Sequence, residues 1–260
     1  MKRLFPVVAA TALVGGSLAA YFLLRPAPPP EPVTVQAAPP KPVPRQVIEA
    51  SPASSPLPVL GESDRFMLNA LTGLIGNEAL IKLFRPEKII RNIVVTIDNL
   101  PRDRTPINAM PVHPAPGLFL VAGTENEPAI GQKNAARYAS YLRIAEAIDA
   151  RKLVELYVRL YPLFQQAYED LGYPKQYFND RLLVALDDLL AAPELKEPVK
   201  LVRPKVLYLF ADPALEERSI GQRILMRIGG ASANPIKNKL REIKQELKLH
   251  LRETSAEGIQ

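Results

Sequence analysis

The chain has 260 residues, 47% of them hydrophobic and 23% charged, with 27 prolines, two histidines and no cysteine. The missing cysteine excludes disulfides, thiolate catalysis, iron–sulfur clusters and cysteine-ligated zinc, and His113 and His250 are too few for a histidine-based metal cluster. Residues 1–61 hold five basic and two acidic side chains and the remainder 28 and 25, so the net charge of +6 gives the bulk of the chain no field suited to nucleic acid.

Leu4 to Leu24 holds no charged residue over 21 positions; Lys2 and Arg3 precede it and Arg25 closes it. At about 1.5 Å per residue such a helix spans roughly 30 Å, the thickness of a bilayer's hydrocarbon. The leading positive charge favours an N-terminus held inside. Ser17-Leu18-Ala19 offers the small–x–small pattern of a cleaved signal peptide, but Tyr21-Phe22-Leu23-Leu24 prolongs the apolar run past it, which favours a retained anchor. Residues 1–25 are therefore expected to form a transmembrane signal anchor. Residues 26–61 form a proline-rich, disordered linker, since proline lacks an N–H and biases its predecessor away from helix.

The rest, residues 62–253, reads as a mainly α, single helical domain with one long irregular segment and room for a short β-hairpin, followed by a flexible tail over 254–260. Ser63 or Asp64 is placed to cap a helix carrying Phe66, Met67, Leu71, Leu74 and Ile75. Gly76-Asn77 interrupts it, and Leu80, Leu83 and Phe84 mark a further turn or two. Ile89, Ile90, Ile93, Val94 and Ile97 recur at helical spacing, although their branching also permits a strand. Residues 101–133 hold six prolines and little periodicity, with a strand expected over Leu118–Ala122 before the turn-rich Gly123-Thr124-Glu125-Asn126.

From Ala135 the pattern is helical, through Tyr138, Tyr141, Leu142 and Ile148. Asp149 is a suitable N-cap for a long helix to about Leu171, kinked at Pro162 and stopped by Gly172 and Pro174. Asn179 or Asp180 caps another through Leu190. Residues 199–210, broken by Pro204, read as extended. Asp212-Pro213 and Asn234-Pro235 are cap–proline pairs opening a short helix and the last helix. Ile236, Leu240, Ile243, Leu247 and Leu251 form the apolar stripe of that last helix. A basic stripe runs beside it through Lys237, Arg241, Lys244, Lys248 and Arg252, expected as a solvated face, with anionic lipid headgroups or an acidic partner as the functional alternative.

Chemistry-bearing residues concentrate in three strings: Asp98-Asn99 with Arg102, Asn179-Asp180-Arg181, and Asp212 with Glu216. They are candidates for one binding or structural polar cluster. Two carboxylates brought together could work as an acid/base pair on a glycan; helix capping and arginine pairing is the plainer expectation. Tyr157, Tyr161, Phe164 and Tyr168 fall at helical spacing and read as core, with hydroxyls that need buried partners.

Val95-Thr96-Ile97-Asp98-Asn99-Leu100-Pro101-Arg102 resembles the bacterial family catalogued as domain of unknown function 3014. So do Leu171-Gly172-Tyr173-Pro174 with Tyr177-Phe178-Asn179-Asp180-Arg181-Leu182, and Phe210-Ala211-Asp212-Pro213 with Leu215-Glu216. Tyr161-Pro162-Leu163 and Gly221-Gln222 match as well. Ile220, where the pattern has proline or a small residue, is a local departure. The resemblance covers roughly residues 62–250. It implies a proline-rich, membrane-anchored bacterial envelope protein and brings no activity, cofactor or catalytic residue with it.

The expectation is a non-enzymatic protein without cofactor or metal, single-pass in the inner membrane. Its C-terminal domain would lie in the periplasm and meet an envelope protein or glycan as partner, with no nucleic acid. The alternative is an envelope glycan hydrolase drawing on Asp98, Asp180 or Asp212.

Overall fold

The computed structural model describes residues 56–257, Glu197 excepted. The expected anchor over 1–25 and the linker up to residue 55 lie outside the described residues. Among the described residues no helix is long and apolar enough to cross a membrane. The domain is mainly helical, with small antiparallel hairpins. Packing begins ahead of Glu62: Leu60, in a 3-10 turn over Leu60–Glu62, is buried, and Leu57 lies against the core.

Helix α1 (Asp64–Ile75) buries Met67, Leu71 and Ile75, one face at four-residue spacing. Gly76 ends it at φ 67°, and Asn77 caps the short α2 (Glu78–Ile81) by accepting from the Ala79 N–H. Neither expected residue caps α1 through its side chain. Ser63 Oγ donates to the Leu60 carbonyl at 2.8 Å. The Asp64 carboxylate instead accepts the N–H groups of Lys88 and Ile89, at 2.7 and 2.8 Å, at the start of α3 (Ile89–Asn99). Lys88 takes φ 52° to turn its N–H toward Asp64, the lone left-handed non-glycine residue among those described. Branching in α3 is overruled by burial: Ile89, Ile90 and Val94 all lose their solvent on one helical face.

The strand expected over 118–122 lies later, as β1 (Val121–Gly123), paired with β2 (Pro128–Ile130) so that Val121 faces Ile130. Leu118 is left 86% exposed. The shift has a local cause. Buried Asn134, first residue of α4 (Asn134–Arg137), accepts the Leu120 N–H and donates to the Leu120 and Gly131 carbonyls, which fixes where the pair begins. Arg137 donates to the carbonyls of Ala115, Pro116 and Gly117, so part of the irregular segment has its backbone oxygens satisfied by one guanidinium.

Next come α5 (Ala139–Ala147) and α6 (Ala150–Asp170), which Asp149 caps as expected by accepting the Lys152 N–H at 2.9 Å. Pro162 lies inside α6 without ending it. Helix α7 (Phe178–Leu190) starts ahead of both proposed caps, Asn179 and Asp180. Tyr177 occupies the cap position, and the Phe178 N–H goes to Gln165 Oε1 of α6 at 2.9 Å. The extended 199–210 segment folds back on itself as β3 (Leu201–Val202) and β4 (Leu209–Phe210), joined to β2 by the Ala129–Lys200 bridge. Asp212 caps α8 (Pro213–Glu216), and Ser219 caps α9 (Ile220–Ile228). The last helix, α10 (Gly230–Glu257), begins ahead of Asn234-Pro235, because the Ala233 N–H already closes on the Gly229 carbonyl; Pro235 falls within it.

The main core is α3 and α6 with α1, α7 and α10 around them. Phe178, Ile89, Ile90, Val94, Leu160 and Leu247 are its most enclosed apolar side chains.

Candidate functional site: a polar seam between three helices

Asp98 lies at the end of α3, buried, with its carboxylate between two arginines. Arg102 Nη2 lies 3.0 and 2.9 Å from its two oxygens. Arg181 Nε from α7 reaches Oδ1 at 2.9 Å, and Arg181 Nη2 also donates to the Asp98 backbone carbonyl. The Tyr173 hydroxyl accepts from Arg102 at 2.9 Å and lies 3.5 Å from Asp98 Oδ2. The bond to Asp98, then that to Tyr173, holds the Arg102 guanidinium above its ordinary range. The 98–102 string and the 179–181 string thus meet through Asp98, Arg102 and Arg181.

Three other predicted residues serve different ends. Asn99 donates to the Val95 carbonyl of its own helix. Asn179, fully buried, accepts the Tyr157 hydroxyl proton inside the aromatic core. Asp180 sits in the first turn of α7, where its charge helps raise the tyrosines beside it.

From Arg102 the seam continues by backbone. The Ile220 N–H donates to the Arg102 carbonyl at 2.7 Å and the Gly221 N–H to the Leu100 carbonyl at 2.9 Å, fastening the first turn of α9 to the end of α3. Gly221 is required by that approach: a Cβ would fall 2.8 Å from Leu189 Cδ2 and 3.0 Å from the Leu100 oxygen. Beyond it, Ser219 Oγ and Gln222 Nε2 donate to the two oxygens of Asp188 on α7, at 2.6 and 2.8 Å.

Glu216 belongs to a second knot, while Asp212 is engaged only at its cap. The Glu216 carboxylate accepts the Phe210 N–H at 2.9 Å and Arg223 Nη1 at 2.6 Å. Arg223 also donates to the Asp103 carbonyl, so this knot too is tied to the loop after α3. Arg227 lies 3.7 Å from Glu216 and 5.2 Å from the Phe210 ring centroid; burial lowers its pKa. Asp188, Ser219, Arg223 and Arg227 were not picked out from the sequence. Asp188 reads there as an ordinary polar position of an amphipathic helix, and the Gly221-Gln222 pair was the one available pointer to α9.

The tyrosines of α6 are core. The Phe164 and Phe178 rings stack at 5.7 Å, and Tyr168 stacks on Tyr173 at 4.7 Å. Burial is the main cause that pushes the Tyr157 and Tyr161 hydroxyls far above their usual pKa and that of Tyr168 up to about 12. The unfolded chain loses these protons near pH 10, while the folded chain retains them. Stability is therefore full below pH 10 and falls as pH rises through 12, by about 1.4 kcal/mol per pH unit for each tyrosine held neutral. Urea denaturation at pH 8, 10 and 11 checks this, and a flat profile contradicts it.

The basic stripe of α10 is not a uniform solvated face. Lys237 is buried and donates to the Ala192 carbonyl past the end of α7, and Lys244 pairs with Asp187.

Together these features define a helical domain whose α3, α7 and α9 are fastened along one polar seam. A family model described as protein of unknown function (DUF3014) matches residues 89–244. The chain belongs to that family, and the seam joins three of the strings that carry the resemblance, around Asp98, Arg181 and Gly221. No curated protein and no solved structure matches the chain.

Proposed function

We propose that the chain is a bacterial envelope protein held in the inner membrane by residues 4–24, with the helical domain acting in the periplasm as a non-catalytic interaction module. The observation that carries the interaction reading is the division of labour between interior and surface. The polar groups of the seam are engaged with one another, while Val206 and Leu207, at the tip between β3 and β4, are 75% and 74% exposed. Two adjacent apolar side chains held out on a loop offer a partner an apolar contact. Hydrolysis by a carboxylate pair needs an acid free to exchange its proton. Asp98 is clamped by two guanidiniums and Asp212 is engaged as a helix cap, which favours the interaction reading.

A photo-crosslinking residue at Leu207 of the full chain, in living cells, is expected to give one discrete adduct that the same residue at exposed Glu87 does not. Identical patterns at both positions would remove the interaction reading. A reporter active only in the periplasm, fused after Gln260, tests the topology; an abundant but inactive fusion would reverse it.

A further inference from the structure

The main core is not filled. Between α1, α3, α6, α7 and α10 lies a cavity of about 360 Å³. It explains why Ile97, Leu156, Leu182, Leu240 and Ile243, all on core-facing stripes, remain only half-buried: they border the cavity. We infer that this cavity takes one hydrocarbon chain, the acyl tail of a single-chain lipid.

Three properties point to that occupant. First, the lining is apolar throughout. Its one side chain with a polar atom is Tyr157, whose hydroxyl is committed to Asn179. A peptide backbone or a sugar inside it would leave its polar groups unpaired, a heavy penalty in such surroundings, whereas a hydrocarbon needs no hydrogen-bond partner. Second, the cavity is long. Its lining runs from Leu153 to Phe164 along α6 and from Phe178 to Leu189 along α7, a length of about 16 Å at the helical rise. An extended acyl chain can follow such a run along its whole length. Third, an interior void costs stability in proportion to its size, so an apolar occupant restores what close packing would have supplied.

Helix α10 closes one side, placing Leu240, Ile243 and Leu247 on the cavity. Its Lys244 and Lys237 hold it to Asp187 in the last turn of α7 and to Ala192 two residues past its end. The basic stripe noted in the sequence therefore serves in part to keep this wall in place. The inference does not depend on the membrane tether or on the exposed β3–β4 tip.

The test uses a clickable, photoreactive fatty acid fed to cells producing the full chain, with adducts mapped to individual peptides. Labelling is expected on lining residues of α6, α7 and α10, reduced at least tenfold by excess oleate. Ile243→Trp, which fills the cavity, is expected to reduce it as strongly while leaving the domain as resistant to heat as before or more so. Leu182→Phe serves the same purpose should the tryptophan prevent folding. Adducts confined to residues 4–24 would support the anchor and overturn the cavity site. Adducts confined to surface residues such as Leu118 or Leu207, or lining adducts unchanged in a folded cavity-filling variant, would overturn it as well.

Discussion

Asp98→Asn is expected to lower the stability of the domain by about 3–5 kcal/mol, the usual result of removing one partner from a buried ion pair. The asparagine keeps the shape but removes the charge, leaving Arg181, whose side chain is 20% exposed, without its counter-ion. Arg102 is different. Its side chain is 48% exposed, so water can take over when the pair is broken, and Arg102→Ala is expected to cost about 1 kcal/mol. The double variant Asp98→Asn, Arg181→Met should lose less than the sum of its single losses, since each removal takes away the group that the other leaves stranded. Equal effects of the Asp98 and Arg102 changes in urea denaturation, or strict additivity in the cycle, would show that the seam is not a buried electrostatic fastening.

Phe178→Ala should be comparably damaging, at about 3–5 kcal/mol. Phe178 has no exposed surface, and its ring lies among Phe164, Tyr168 and Tyr157 at 5.7, 5.6 and 6.4 Å. Truncation leaves a void bordered by rigid rings, which collapse into it poorly. Phe178→Leu keeps most of the volume and is expected to cost under about 1.5 kcal/mol. Denaturant midpoints of the two variants, with unchanged slopes, check the ordering; an alanine variant within 1 kcal/mol of the parent would mean that these rings do not hold α6 to α7.

Helices with a clear apolar period and a local cap were legible from the sequence. α6 behind Asp149 and α8 behind Asp212-Pro213 begin where their caps put them, since such signals act within one turn. Caps supplied from elsewhere were not legible. Asp64 reads as a cap for its own helix, yet it serves α3, and Gln165 of α6 receives the first N–H of α7. Both assignments depend on how helices lie together in space. The start of α10 was misplaced for a related reason: an Asn-Pro pair is a sound local signal, but the ladder set up at Gly229 carries the helix through it.

The candidate site divides in the same manner. Asp98, Arg102 and Arg181 could be singled out as members of short polar strings. Their meeting could not, since 83 residues separate Asp98 from Arg181. Asp188 and Ser219 carried no signal at all. On an amphipathic helix and in a loop such residues are expected at the surface, and only the approach of Gly221 to Leu100 brings them under cover.

That approach bears on the order in which the domain is made. The carbonyls of Leu100 and Arg102 wait for N–H groups that follow more than a hundred residues later, and Ile89, Ile90 and Val94 wait longer still for Leu247 and Leu251. Translation at roughly 5–20 residues per second puts on the order of ten seconds between the synthesis of α3 and that of α10. Throughout that interval α3 has only part of its cover, from α1, α6 and α7. C-terminal truncations that remove α10 are therefore expected to leave this face open and to aggregate rather than fold in part.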